Sequence, residues 1–183
     1  MATGHTTAMA VAIAAAVLAL PRASVAADAL ASEATAMSHV RSSNLAIVAL
    51  IRQAAERSVT FRGLVAAIDA SDSIVFVEAG ACGHGVRACF VSVSATKSNR
   101  YMRVVVDTHK ADTDLMGSIG HELRHTLEVI AEPGIRSDAA KYFFYESIGT
   151  RGITGPRETR AAITAGDAVR SEISRSTRQS HPH

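Results

Sequence analysis

The chain has 183 residues, of which 48% are hydrophobic, and its formal net charge is +2. This length and hydrophobic content are typical of one modest globular domain with additional segments at its ends. The basic residues do not cluster, and aromatic residues make up only 4% of the chain. Both features argue against nucleic acid as a partner, because binding it requires a basic surface or a platform of stacking residues.

Residues 1–27 are typical of a targeting segment. An uninterrupted apolar run at 8–20 is followed by Pro21 and by the small residues Ala26 and Ala27. This pattern predicts a secretory signal peptide that is cleaved after one of these two alanines. Because the run is shorter than the roughly 20 residues of a membrane-spanning helix, we expect no stable membrane span after signal cleavage. The predicted location is therefore periplasmic or secreted, with an uncleaved anchor as the alternative.

Residues 28–175 are predicted to form the folded domain, and 176–183 a disordered polar tail. Hydrophobic periodicity and turn residues predict helices at 45–57 and 60–68, strands at 73–78, 88–94 and 100–108, and helices at 114–131, 137–148 and 159–173. The three consecutive strands have short connections, which favour an antiparallel meander. The predicted fold is therefore α+β, with a small antiparallel three-stranded sheet packed with helices.

The two cysteines, Cys82 and Cys89, flank a glycine-rich turn between the first two predicted strands. In an exported protein, two cysteines that face each other across such a turn predict a disulfide. The alternative is a metal site built from Cys82, His84 and Cys89, which would lack a fourth ligand.

The segment His121-Glu122-Leu123-Arg124-His125 has the residue types and spacing of a metal site. Two histidines four residues apart project from the same face of a helix and can hold one metal ion between them. The glutamate directly after the first histidine lies where it can accept a proton from an attacking water molecule. The segment therefore predicts bound Zn²⁺ and hydrolytic chemistry.

The predicted helix 114–131 that carries this segment has two distinct faces, with Thr113 or Asp114 as its N-cap. At 100° per residue, one face collects the apolar side chains Leu115, Met116, Ile119, Leu123, Leu127 and Ile130. The opposite face collects His121, His125, Glu128 and Glu132. We expect the apolar face to lie in the core and the histidines to face out of it.

The HExxH segment and the layout around it resemble the zincin family of zinc metallopeptidases. The metzincin pattern is not met, because Glu128 and Ala131 stand where that group has Gly and His. The gluzincin pattern takes a third ligand from a glutamate some twenty residues downstream, and Glu146 lies 21 residues after His125. The longer gluzincin signature around that glutamate is absent. The helix also resembles that of small exported bacterial proteins with no established activity.

The resemblance implies a peptidase-like hydrolase that acts on a peptide or protein substrate. It implies His121, His125 and Glu146 as zinc ligands. It implies Glu122 as the catalytic residue that accepts and returns the proton. Glu128 is the alternative third ligand, but it lies about 10 Å of helical rise beyond His121. We expect Glu128 to orient His125 from behind, as metal-bound histidines commonly require.

Other residues near the predicted site have possible supporting roles. Tyr142, Tyr145 and His109 are candidates for stabilising charge on the substrate. The strand 100–108 is expected to present an edge to which a peptide can add as a further strand. Two other classes of function stay open: an exported zinc-binding protein without catalysis, and a metal-free exported interaction module.

Overall fold

The structure, a computed structural model, describes Met1 and residues 38–83, 85–151 and 157–180. The predicted signal peptide therefore lies, apart from Met1, outside the described residues. Within the described part of the chain, no helix combines the length and hydropathy that a membrane crossing requires.

The described residues form an α+β arrangement, as the sequence predicts. The helices are α1 (Leu45–Arg57), α2 (Val59–Asp69), α3 (Thr113–Ile130), α4 (Asp138–Ile148) and α5 (Arg160–Ser180). The strands are β1 (Val40–Arg41), β2 (Ser73–Ala79), β3 (Ala88–Ala95), β4 (Arg100–Val106), β5 (Thr150–Arg151) and β6 (Arg157–Glu158). Helix α5 continues past its predicted end at 173 and into the segment predicted as a tail. The two-residue strands β1, β5 and β6 have no counterpart in the sequence prediction.

The main sheet has four strands in the order β1-β2-β4-β3 and is mixed. Within this sheet, strand β2 runs parallel to both β1 and β4, and β3 pairs antiparallel with β4. The predicted antiparallel meander is therefore wrong, and β4 is an inner strand rather than the predicted edge. The consecutive buried residues Val104, Val105 and Val106 fit this inner position. The connection after β2 passes β4 and places β3 at the outer edge of the sheet.

The predicted disulfide between Cys82 and Cys89 is confirmed, with the two Cα atoms 5.9 Å apart. It ties the loop after β2 to the second residue of β3. Because the two sulfur atoms are bonded to each other, the alternative metal site at these cysteines is excluded.

Helix α3 lies against the sheet and against α5, with its apolar face in the core as predicted. Glycines allow α3 and α5 to approach closely. A Cβ atom on Gly120 would lie 2.9 Å from Val169 Cγ2, and one on Gly166 would lie 3.1 Å from the Cβ of His121. The beginning of α5 is thereby held near the turn of α3 that carries the histidines.

The C-terminal end of α3 is fixed by the buried guanidinium group of Arg100 in β4. It donates hydrogen bonds to the carbonyl oxygens of Val129 at 2.9 Å and Ile130 at 3.0 Å. Carbonyl groups in the last turn of a helix lack helical partners. Arg100 satisfies that of Ile130 and shares that of Val129 with the backbone N–H of Glu132, 3.2 Å away. An ion pair of 2.8 Å with Asp72 balances its charge.

The N-terminal end of α3 is capped by Asp112, one residue before the predicted cap. Its carboxylate accepts a hydrogen bond of 2.9 Å from the backbone N–H of Leu115. It also forms ion pairs with Arg87 at 2.7 Å and Lys110 at 3.1 Å. Burial opposes ionisation, but these hydrogen bonds lower the pKa of Asp112 to about 2.

We expect Asp112→Ala to lower the free energy of unfolding by about 1–2 kcal/mol near neutral pH, because α3 loses its cap. The pKa of Asp112 is lowered from 3.8 by folding. Its contribution is therefore fully present above pH 3.8 and is lost as the pH falls through about 2. Urea unfolding of both proteins across this range measures the effect. The exposed neighbour Asp114, changed to Ala, is the control; a stability difference for Asp112→Ala that is as large at pH 2 as at neutral pH would contradict the assignment.

Candidate metal centre

Three side chains from α3 and β6 meet at one point: His121, His125 and Glu158, with ligand atoms all within 4.8 Å of one another. The two Nε2 atoms are 3.1 Å apart. Oε2 of Glu158 lies 2.8 Å from Nε2 of His121 and 3.3 Å from Nε2 of His125. Ligands bonded to a tetrahedral ion at about 2.0 Å are about 3.3 Å apart. The three atoms are therefore spaced like one face of a tetrahedral metal site, and the group can hold a metal ion.

The hydrogen-bond partner of His125 determines which ring nitrogen faces this point. Nδ1 of His125 lies 2.9 Å from Oε2 of Glu128. An ionised carboxylate only accepts hydrogen bonds, so the proton is assigned to Nδ1. A neutral His125 then directs the lone pair of Nε2 toward the oxygen of Glu158, which is repulsive unless a positive charge lies between them. The arrangement therefore favours a positive charge between these atoms, either a proton on Nε2 or a bound metal ion.

The charges of the group agree with this interpretation. Burial lowers the pKa of His125, but hydrogen bonds with Glu128 and Glu158 outweigh burial and raise it to about 9. Burial raises the pKa of Glu158, but its hydrogen bonds with His121 and His125 bring it down to about 2. The three side chains thus favour one additional positive charge among them, which either a proton on His125 or a metal ion can supply.

Glu128 lies behind His125 rather than beside the ligand atoms. Its Oε1 accepts a hydrogen bond of 2.6 Å from Oγ1 of Thr159, and its Oε2 lies 3.3 Å from the hydroxyl of Tyr145. Thr159 also caps α5 by accepting from the backbone N–H of Ala162 at 3.1 Å. One carboxylate therefore links the orientation of His125 to the beginning of α5.

The structure groups Glu158, and not the predicted Glu146, with the two histidines. Both oxygens of Glu146 accept hydrogen bonds from the guanidinium of Arg157, at 2.6 and 2.5 Å. Successive residues of a strand point to opposite sides. Arg157 of β6 therefore turns toward α4 while Glu158 turns toward the histidines.

Glu122 lies beside the three grouped side chains, and its carboxylate also lies close to strand β3. Its Oε1 is 4.0 Å from Nε2 of His121, and its carboxylate lies toward the backbone N–H of Phe90 in β3. The residue is only 8% exposed. Burial raises the pKa of Glu122, and this effect outweighs the charges of the two histidines. His125 is only 6% exposed, so the face of α3 that carries the histidines is covered by other parts of the protein.

The three predicted auxiliary residues are placed differently from one another. His109 is exposed and pairs with Asp107, and Tyr142 is exposed on α4. Neither contacts the three grouped side chains in the described structure. Tyr145 packs behind His125, with ring centroids 5.1 Å apart, and its hydroxyl lies 2.9 Å from the carbonyl oxygen of His125. Burial raises the pKa of Tyr145, so its hydroxyl stays protonated.

No protein-family model matches the chain, and no curated protein or solved structure is significantly similar to it. The resemblance to zincins therefore stays a resemblance of the HExxH segment and its layout. Interpretation of the site depends on the distances, burial and charges of its own residues.

Proposed function

We propose that the chain is a zinc-dependent hydrolase of the metallopeptidase kind, with His121, His125 and Glu158 as the zinc ligands. The observation that carries this proposal is the convergence of their three ligand atoms at separations of 2.8, 3.1 and 3.3 Å. Glu122 lies 4.0 Å from His121, on the same turn of α3.

The chemistry of the donors fits zinc. Two imidazole nitrogens and one carboxylate oxygen form a donor set that is typical of catalytic zinc, which keeps one coordination position for water or substrate. When bound at this site, zinc would polarise the substrate carbonyl and make a water molecule more acidic.

The residues of the chain supply the remaining functions. Glu122 accepts the proton of the attacking water and returns it to the leaving amine, and its raised pKa suits both steps. Glu128 keeps the proton of His125 on Nδ1, so that Nε2 is available as a ligand. Tyr145 and Thr159 hold the carboxylate of Glu128 in that position.

A peptide or protein substrate is favoured by the position of β3. This strand forms the outer edge of the sheet, and the backbone N–H of Phe90 within it contacts Glu122. An extended peptide that adds to this edge would bring its carbonyl groups close to Glu122. The sheet order therefore moves the expected peptide-binding edge from β4 to β3.

Export is part of the proposal and is supported by the disulfide. Cys82 and Cys89 are bonded to each other. Structural disulfides form and persist in oxidising compartments and are rare in reducing ones. We therefore infer a periplasmic or secreted protein.

A zinc site without catalysis is the second candidate, and burial favours it. Glu122 and His125 are only 8% and 6% exposed. A structural zinc site is closed, whereas a catalytic one leaves a position that water can reach. The two candidates bind the same metal and differ in whether substrate reaches Glu122.

The proposal is tested by metal analysis and hydrolysis together. We expect protein purified without chelator to contain one zinc ion per chain and to cleave fluorescein-labelled denatured casein. EDTA should abolish the cleavage, and added zinc should restore it. Stoichiometric zinc without cleavage would favour the second candidate, and no bound metal would contradict both.

A further inference from the structure

The outer edge of β3 is occupied by side chains instead of a neighbouring strand. An edge strand normally leaves backbone N–H and C=O groups free for water or for another chain. In β3, the backbone N–H of Val93 donates a hydrogen bond of 2.7 Å to Oδ1 of Asp138, the first residue of α4. The backbone N–H of Phe90 lies toward the carboxylate of Glu122.

The carbonyl groups of the same stretch are held by Lys141, one turn further along α4. Its ammonium group donates to the carbonyl oxygen of Val91 at 2.5 Å and of Phe90 at 3.2 Å. It also lies 4.6 Å from the centroid of the Phe90 ring. The Lys141 side chain is only 12% exposed. A buried ammonium requires such partners, so these contacts are specific rather than incidental.

The edge is irregular at the point where Lys141 binds it. The pairing register between β3 and β4 shifts between Phe90 and Ser92, so that Val91 has no partner across the sheet. Such a bulge turns backbone groups out of the regular ladder. Asp138 and Lys141 therefore bind the part of β3 that lies next to Glu122 and in which the pairing with β4 is irregular.

Helix α4 packs against the domain through three partly buried side chains, Ala140, Phe144 and Tyr145. None of its residues is fully buried. Its second half is held near the candidate metal centre by Tyr145 and by the ion pair of Glu146 with Arg157. Its first turn is held to the sheet by Asp138 and Lys141. Segments with little buried apolar surface open at low free-energy cost.

We propose that the first turn of α4 is a latch on the peptide-binding edge. Asp138 and Lys141 occupy the backbone groups of β3 that an extended polypeptide would use, and they must release these groups before the polypeptide can pair there. This inference rests on the proposed function for the identity of the ligand, a polypeptide that lies beside Glu122.

Binding without turnover tests the latch. In a Glu122→Gln background, which cannot remove the proton of the attacking water, the change Asp138→Ala with Lys141→Met removes both latch contacts. Fluorescence anisotropy then measures the affinity for fluorescein-labelled denatured casein. If the closed state is favoured at least tenfold, removal of the latch raises the apparent affinity by about the same factor. We expect an increase of at least about tenfold.

A matched control removes one acidic and one basic side chain elsewhere on the surface. Glu132 and Lys97 are both exposed, and the changes Glu132→Ala and Lys97→Met alter the formal charge in the same way. This control should bind casein like its Glu122→Gln parent. Thermal unfolding establishes that each protein is folded, and Lys141→Met alone serves if the double change prevents folding.

The outcomes separate the latch from the proposed function. Tighter casein binding in the latch variant, with the control unchanged, supports the latch even if no variant hydrolyses casein. Unchanged binding in a folded latch variant overturns the latch, even if the unmodified protein is an active hydrolase. An equal gain in the control variant also overturns it, because the effect would then be general electrostatics.

Discussion

Replacing Glu158 with Gln is expected to lower the affinity for zinc more than about 100-fold. Loss of a residue that only supports a ligand already costs about 10–100-fold, and Glu158 supplies one of the three converging ligand atoms. Gln has nearly the same size but no charge, so the change removes an anionic ligand without creating a cavity. Zinc competition against a chromogenic chelator measures the affinity of the variant relative to the unmodified protein.

Glu146→Gln is the informative comparison, because sequence spacing alone assigns the ligand to Glu146. Its carboxylate pairs with Arg157, next to Glu158 in β6. We therefore expect this variant to keep one zinc per chain. The affinity for zinc should fall at most moderately, because β6 loses the ion pair that helps to hold it in place. Retention of zinc by Glu158→Gln together with its loss from Glu146→Gln would overturn the assignment.

Much of the local structure could be predicted because the signals are local. The spacing of apolar residues predicts α3 within one residue at each end, since helix periodicity depends on near neighbours. The disulfide of Cys82 with Cys89 follows from cysteines that flank a short turn. The HExxH segment places two histidines on one helical face for the same reason.

The sheet order and the third carboxylate could not be predicted because both depend on long-range packing. Short loops favour antiparallel pairing between consecutive strands. In this sheet, however, the buried strand β4 lies between the consecutive strands β2 and β3. Glu158 is 33 residues from His125 and lies in a two-residue strand with no periodic pattern. The only local signal near it is Thr159, a residue type that commonly begins a helix.

Helical geometry explains why Glu146 fits the spacing but not the site. Neighbouring residues of a helix point about 100° apart. Tyr145 faces α3 and contacts His125, so Glu146 points to one side, where Arg157 meets it. The ion pair then helps to position β6, and β6 carries Glu158. Glu146 thus acts on the candidate site indirectly, through the next strand.

Replacing Glu122 with Gln is expected to reduce casein hydrolysis about 10³-fold while leaving the zinc content unchanged. A positioned proton acceptor contributes roughly 10²–10⁴-fold to such reactions. Gln keeps the size of Glu122 and one oxygen that can face the backbone N–H of Phe90, but it cannot take a proton. Turnover of labelled casein, with zinc content measured on the same samples, checks both parts of the prediction.

This change separates the two candidate functions, because Glu122 is not one of the three converging residues. Glu132→Gln, an exposed change just beyond α3, is the control and should affect neither zinc nor hydrolysis. If Glu122→Gln hydrolyses casein as fast as the unmodified protein, Glu122 is not the proton acceptor and the proposed mechanism fails. If neither protein hydrolyses casein but both hold zinc, even after the Asp138 and Lys141 contacts are removed, a structural zinc site is the better description. In that case the burial of Glu122 beside β3 closes the site to substrate.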